Sequence, residues 1–327
     1  MKSRSFGKEN IKISEIGLGT WQLGSDWGDV DEKTAMETLA AAVESGVNFF
    51  DTADVYGLGK SERYLGKFLR DSGADVFVAT KLGRFPEPGW PENFTFEAFR
   101  NHTEASLQRL GLETLDLTQL HCIPTEVLRR GKIFDWLRTL QKEGIIKRFG
   151  VSVESMDEAL CCLHQDGLSS LQIIFNIFRQ KPITTLFERA KEKGVALVIR
   201  LPLASGLLSG KLTIHSQFDK SDHRNYNRNG EQFNVGETFA GIQFEKGAEL
   251  VDELKSMLPA NMTMAQMALR WILDFDAVSV VIPGSKKAEQ VCINAAASDL
   301  APLSAELHKK LEEFYKELVV EHIRGKY

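Results

Sequence analysis

The chain has 327 residues, with 40 Lys plus Arg against 45 Asp plus Glu, a formal charge of −5. That balance argues against a nucleic-acid partner, which asks for a basic face, and no apolar run reaches the ~18 residues of a membrane span. The leading segment MKSRSFGKENIKIS lacks the apolar stretch of a secretion signal, and four cysteines with no CxxC make no disulfide framework. A cytoplasmic protein is expected, in which the N-x-T sequons at Asn93, Asn101 and Asn261 are chance matches.

A first strand is expected over 15–19, then a helix over 31–44 with Asp31 as its cap. From there one pattern recurs: a helical stretch ends, a glycine follows, and a short apolar run begins. The glycines are Gly46, Gly73, Gly111, Gly144, Gly167 and Gly194, spaced 23 to 38 residues apart. Glycine there reads as a left-handed helix cap. The runs after it are apolar throughout rather than alternating, as in strands buried on both faces. Helices over 95–110, 132–142 and 184–193 fall between these runs. A helix over 263–273, a strand over 277–282 and a helix over 286–297 complete eight strand–helix units.

Eight such units predict an α/β fold of the (β/α)8 TIM-barrel type, one domain over 1–327. An open doubly wound sheet is the alternative, but no G-x-G-x-x-G follows the first strand. Two segments lie outside the rhythm. Residues 206–236, polar and rich in Asn, Ser and Gly, form a long loop after strand seven, expected to cover the active-site face. Residues 304–327 form an extra charged C-terminal helix and tail.

Barrel enzymes carry their chemistry at the C-terminal strand ends. Asp51 ends the second strand, with Tyr56 five residues on. Lys81 ends the third, His121 the fourth, Ser152 the fifth, Asn176 the sixth and Arg200 the seventh. Taken singly, each has a plain structural use, Asp51 as a helix cap and Tyr56 as packing. Together, Asp51 can neutralise Lys81, and the Lys81 cation beside a phenol lowers its pKa. His121 can bond the same hydroxyl or a bound carbonyl oxygen. Tyr56 is then a general acid for a carbonyl. A metal on His121, Asp51 and Asp54 is not expected: no second His stands at ligand spacing, and Lys81 opposes a cation.

The motifs LGTWQLG (18–24), NFFDTADVYGLGKSERYLG (48–66), VATK (78–81), LDLTQLH (115–121), GVS (150–152), PLASGLLSGK (202–211) and IPGSKKAEQ (282–290) resemble those of the aldo-keto reductases, over roughly 16–294. The resemblance implies an NAD(P)(H)-dependent reductase acting on a small-molecule carbonyl substrate. It puts the catalytic tetrad on Asp51, Tyr56, Lys81 and His121. Ser152 and Gln172 would hold the cofactor carboxamide. Gly19, Thr20 and Trp21 would line the nicotinamide ribose and substrate, with Asp51 nearby. Leu203, Ser205 and Gly206 would follow the pyrophosphate, and Gly284, Ser285, Lys286, Gln290 and Asn294 would form the adenine-nucleotide site. The Lys286–Lys287 pair at a helix start is misplaced for the helix dipole unless an anion binds there, which favours NADPH (NADP) over NADH.

Three departures from the family pattern stand out. Val153 replaces a frequent Asn, Ile293 a frequent Glu, and Arg200 an aromatic ring that stacks on nicotinamide; a guanidinium can stack there too. Trp21, Trp27, Tyr56, Phe85, Trp90 and His121 are the expected substrate-pocket residues. Arg84 and Arg200 are candidates for an acidic substrate group. A cofactor-binding regulatory subunit of the same fold, with slow or no turnover, is the alternative function. No oligomeric state follows from the sequence.

Overall fold

A computed structural model describes residues 1–9, 11–24 and 27–327. Two short strands, β1 (Ser3–Phe6) and β2 (Ile11–Ser14), pair antiparallel. Eight parallel strands follow: β3 (Leu18–Gly19), β4 (Phe49–Asp51), β5 (Phe77–Leu82), β6 (Leu117–His121), β7 (Phe149–Ser152), β8 (Leu168–Ile174), β9 (Ala196–Arg200) and β10 (Val278–Val281). They pair in chain order. Parallel bridges Ile16–Val281 and Gly19–Gly284 join the last strand to the first. The sheet is thus the (β/α)8 barrel expected.

The helices sit where the apolar spacing places them. Glu32–Glu44 is capped by the Asp31 side chain, which accepts from the Thr34 N–H. Phe96–Leu110 starts at the Thr95 cap, and Met264–Leu273 starts at a Thr263–Gln266 capping box. The six repeated glycines all have φ between 62° and 82°. Gly73, Gly111 and Gly194 are themselves the caps.

The helix expected over 184–193 is two pieces, Pro182–Thr185 and Phe187–Lys193, broken where Leu186 leaves helical φ/ψ. The helix expected over 286–297 is shorter, Ala288–Ala295, and tightens into a 3-10 turn. The loop after strand seven is not featureless: it holds Ala204–Ser209, His223–Tyr226 and Val235–Glu237 as short turns of helix. Beyond it lies a helix, Phe244–Lys255, that the sequence reading omitted. The extra C-terminal helix is Ala305–Phe314.

The apolar core has two parts. Between barrel and helices lies a large cluster of Leu, Ile, Val and Phe. Inside the barrel lies a smaller one, in which Phe6 of the hairpin packs on Phe49 and Phe77 at ring distances of 5.8 and 5.1 Å. The hairpin thus plugs the N-terminal end with aromatic side chains, and the polar residues gather at the other end. No helix among the described residues is long and apolar enough to cross a membrane.

Candidate active site

Strand register decides which side chains meet. Asp51 pairs with Gly19 and Ala79, Lys81 with Gln119, and His121 with Ser152, which in turn pairs with Gln172. Asp51, Lys81, Gln119 and Gln172 converge inside the barrel. Lys81 Nζ donates to Asp51 Oδ1 at 2.5 Å, to the Thr52 carbonyl at 2.8 Å and to the Tyr56 hydroxyl at 3.1 Å. Oδ2 of Asp51 accepts from Gln172 Nε2 at 2.8 Å and from Gln119 Nε2 at 3.1 Å.

Tyr56 reaches Lys81 from the loop after β4, and that loop is held by a close glycine contact. A Cβ on Gly24 would lie 2.7 Å from the Tyr56 carbonyl carbon. Any larger residue in LGTWQLG would push the Tyr56 backbone away. Above the ring lies Trp21, stacked at 5.8 Å, and His121 meets its edge at 5.7 Å.

The electrostatics differ from the sequence expectation at one point. Burial pushes the Tyr56 phenol above its ordinary value; Lys81 pulls it down, but Asp51 opposes that pull. The phenol is therefore protonated rather than poised to ionise. Burial works against the Lys81 charge, yet Asp51 and Tyr56 together hold its pKa above the ordinary value. Burial also drives His121 well below the usual imidazole value, with Arg84, Lys81 and Arg200 adding to the effect, so its ring is neutral.

These groups open onto a cavity of about 1030 Å³. It runs from Tyr56 and His121, past Trp21, Arg200 and Leu203, to Ser205, Gly206, Gly284, Lys286, Gln290 and Asn294. Gly19, Asp51, Gln172 and Trp27 line it as well. Thr20, Ser152 and Ser285 stand behind the lining. The Thr20 hydroxyl donates to the Asp51 carbonyl at 3.0 Å, Ser152 sits 3.4 Å from Gln172 Oε1, and Ser285 accepts from Asn294 at 3.2 Å.

Two expected pocket residues lie elsewhere. Trp90 is 60% exposed and rests on Phe94 at 4.6 Å. Phe85 packs on His102 at 5.5 Å, and neither lines the cavity. Beyond Arg84, the segment between β5 and the next helix packs Phe85 on that helix and Trp90 on its own Phe94. The aromatic wall is built instead from Trp21, Trp27, Tyr226 and Phe233. Trp27 meets Trp21 edge-on at 5.6 Å, and Phe233 lies 6.1 Å from Trp21.

Charged side chains line the same cavity. Arg84 donates to Glu154 at 3.0 Å and to Glu237 at 3.1 Å. Arg200 donates to the Val153 carbonyl at 3.1 Å and lies 3.7 Å from Glu237. Burial disfavours both guanidinium charges and the Glu237 carboxylate. Mutual pairing wins: both arginines stay above, and Glu237 below, their usual values. Cys122, Glu154 and Glu237 lie close enough to share an ion, but the two arginines occupy those carboxylates. Glu154, Glu237 and Gln119 escaped the sequence reading. Gln119 carried a signal, two residues before His121 and so on the same strand face; Glu237 carried none, because its position depends on how a long loop folds back.

At the far end, Lys286 is half-buried and forms no ion pair among the described residues. Burial lowers its pKa; Asp222 raises it and Arg224 lowers it further. Arg224 lies 4.8 Å from the Trp27 ring and lines the same cavity. Partly buried cations in an elongated cleft fit a dinucleotide phosphate, and the cleft has room for one.

The chain belongs to the aldo/keto reductase family, whose profile matches residues 15–316. It is 30% identical over 306 residues to the aldo-keto reductase YhdN of Bacillus subtilis, covering 89% of this chain and 87% of that one. It is 27% identical to the NADH-specific methylglyoxal reductase of Escherichia coli, covering 96% and 99%. The holo form of aldo-keto reductase AKR11C1 from Bacillus halodurans superposes with a TM-score of 0.79 at 27% identity, covering 98% of each chain.

Proposed function

We propose that this protein reduces the carbonyl of a small, neutral, polar aldehyde or ketone to an alcohol, with NADPH as its cofactor. One observation carries this: the Tyr56 hydroxyl lies 3.1 Å from the ammonium of the Lys81–Asp51 pair and meets the His121 ring edge, in a cleft that Lys286 also lines.

When bound, the cofactor supplies a hydride from nicotinamide C4. The chain's own residues do the rest. Tyr56 holds the proton that the developing alkoxide takes up. Lys81 stabilises the phenolate left behind, and Asp51 fixes Lys81 in place. A neutral imidazole at His121 can bond the carbonyl oxygen without competing as an acid. Gln172, with Ser152 behind it, would hold the carboxamide, and the Arg200 guanidinium would stack on the ring.

Ser205 and Gly206, both at positive φ (55° and 98°), with Leu203 before them, would follow the pyrophosphate. Gly284, Lys286, Gln290 and Asn294 would take the adenine nucleotide. The charged wall bears on substrate class: Arg84, Arg200 and Lys326 are matched by Glu154, Glu237 and Glu158, so it offers many hydrogen bonds and no spare positive charge. That suits hydroxylated carbonyl compounds better than acids.

The test is titration of the protein with NADPH and NADH, followed by quenching of its tryptophans, then NADPH consumption with a panel of carbonyl compounds. Tighter binding of NADPH and turnover of neutral aldehydes are expected. Equal or tighter NADH binding would remove the phosphate assignment of Lys286 and align this chain with its NADH-specific relative. Failure to bind either would overturn the proposal.

A further inference from the structure

Gln119 is buried in β6, in a strand otherwise made of Leu, Thr and His. A buried primary amide costs on the order of 1–3 kcal/mol unless its groups are bonded, and leucine would fill the space without that cost. Here both ends are used. Gln119 Nε2 donates to Asp51 Oδ2 at 3.1 Å, and its Oε1 accepts from Gln172 Nε2 at 3.4 Å. The neighbouring strand makes room: a Cβ on Gly150, beside it in register, would lie 3.4 Å from Gln119 Cγ and 2.1 Å from Ser170 Oγ.

We propose that Gln119 is a positioning residue of the proton-donating machinery: with Gln172 it clamps Oδ2 of Asp51, so that Oδ1 faces Lys81 and the cation beside Tyr56 keeps its strength. The kinetic part of this proposal rests on the reductase function above.

The chemistry is a division of one carboxylate between two sets of donors. Oδ2 takes two neutral amides and Oδ1 takes the ammonium. Removing one amide concentrates the negative charge on Lys81. That leaves less positive field at the Tyr56 hydroxyl, which then holds its proton more tightly. The charged groups that act on Tyr56 are Lys81 from β5, Asp51 from β4 and Glu237 from the long loop after β9. His121 of β6 faces its ring edge uncharged. None of these is displaced by changing Gln119 to a residue of equal length.

The experiment uses the full chain with Gln119→Met, which keeps the length and removes both bonding groups, and Gln119→Glu. Tyrosine labelled with 13C at Cζ is titrated by NMR, with Tyr56→Phe assigning the resonance. Gln119→Met is expected to move the Tyr56 titration to higher pH. It should lower kcat by about the factor of ten that one pKa unit represents, with the carbonyl KM and the NADPH Kd within about twofold. Gln119→Glu can donate to Asp51 only while protonated, so its kcat should hold in acid and fall as the pH rises.

An unmoved Tyr56 titration in Gln119→Met overturns the proposal. So does a variant in which kcat, KM and Kd worsen together with the melting temperature, the mark of a packing residue alone. If the wild type binds NADPH but reduces no carbonyl, the function falls while the NMR titration still decides the role of Gln119.

Discussion

The ammonium of Lys81 lies 3.1 Å from the hydroxyl oxygen of Tyr56 and 2.5 Å from Asp51 Oδ1. One buried cation therefore serves the proton donor and its own counter-ion at once. Lys81→Met would leave the Asp51 carboxylate buried with only its amide donors. Breaking such a pair costs about 3–5 kcal/mol, so the variant should unfold at clearly lower urea. The fraction that remains folded should bind NADPH and reduce carbonyls far more slowly. Equilibrium denaturation together with single-turnover rates separates the two effects.

Lys286 is a partly buried cation of the cleft that forms no ion pair among the described residues. A charge-assisted bond to a phosphate contributes roughly 1.5–3 kcal/mol. Lys286→Ala should therefore weaken NADPH by about one to two orders of magnitude and NADH much less. Equal losses measured by tryptophan quenching would contradict the assignment.

Glu237 ties Arg84 and Arg200 together in the charged part of the cavity lining. Glu237→Gln removes one negative charge and leaves Glu154 and Glu158 against Arg84, Arg200 and Lys326. The pocket then carries spare positive charge. Selectivity, measured as the ratio of kcat/KM for a carboxylated aldehyde to that for its neutral analogue, should rise, and more so at low ionic strength.

Asp54 is fully buried, and its carboxyl has no side-chain hydrogen-bond donor among the described residues; the Val55 backbone N–H is the donor near it. Burial raises its pKa well above the ordinary value, and the neighbouring Glu62 raises it further, against the pull of Arg109. The folded chain thus keeps a proton that the unfolded chain releases. Stability falls as the pH climbs from the ordinary aspartate pKa, 3.8, towards the raised one. Asp54→Asn has no proton to lose, so its gain in melting temperature over the wild type should be larger at neutral and alkaline pH than in acid.

How much of this was legible in the sequence follows from what each feature depends on. Asp51, Lys81 and His121 end strands, and strand ends are set by short-range apolar patterning and by glycines such as Gly73 and Gly111. Those residues were therefore visible. Gln119 was readable in principle from two-residue alternation. Glu237 joins Arg84 and Glu154 only because a loop spanning some thirty residues folds back over the barrel, and nothing local encodes that return. Trp90 and Phe85 misled for the same reason, since an aromatic ring in a loop carries no sign of which way the loop turns. The raised Tyr56 pKa was also hidden. A lysine beside a phenol is evident from the motif, but the burial that outweighs it belongs to the folded cavity.

The most direct measurement of the central claim is a single-turnover experiment. Protein in excess over NADPH is mixed with a neutral hydroxylated aldehyde, and the loss of the reduced cofactor is followed by absorbance, for the wild type and for Tyr56→Phe. The wild type should oxidise one NADPH for each alcohol formed. Tyr56→Phe, which keeps the ring and loses the proton, should bind NADPH with near-normal affinity and slow the chemical step by at least about 10²–10⁴-fold. Equal rates in the two proteins would contradict the role of Tyr56, and no oxidation by the wild type with any carbonyl compound would contradict the function itself.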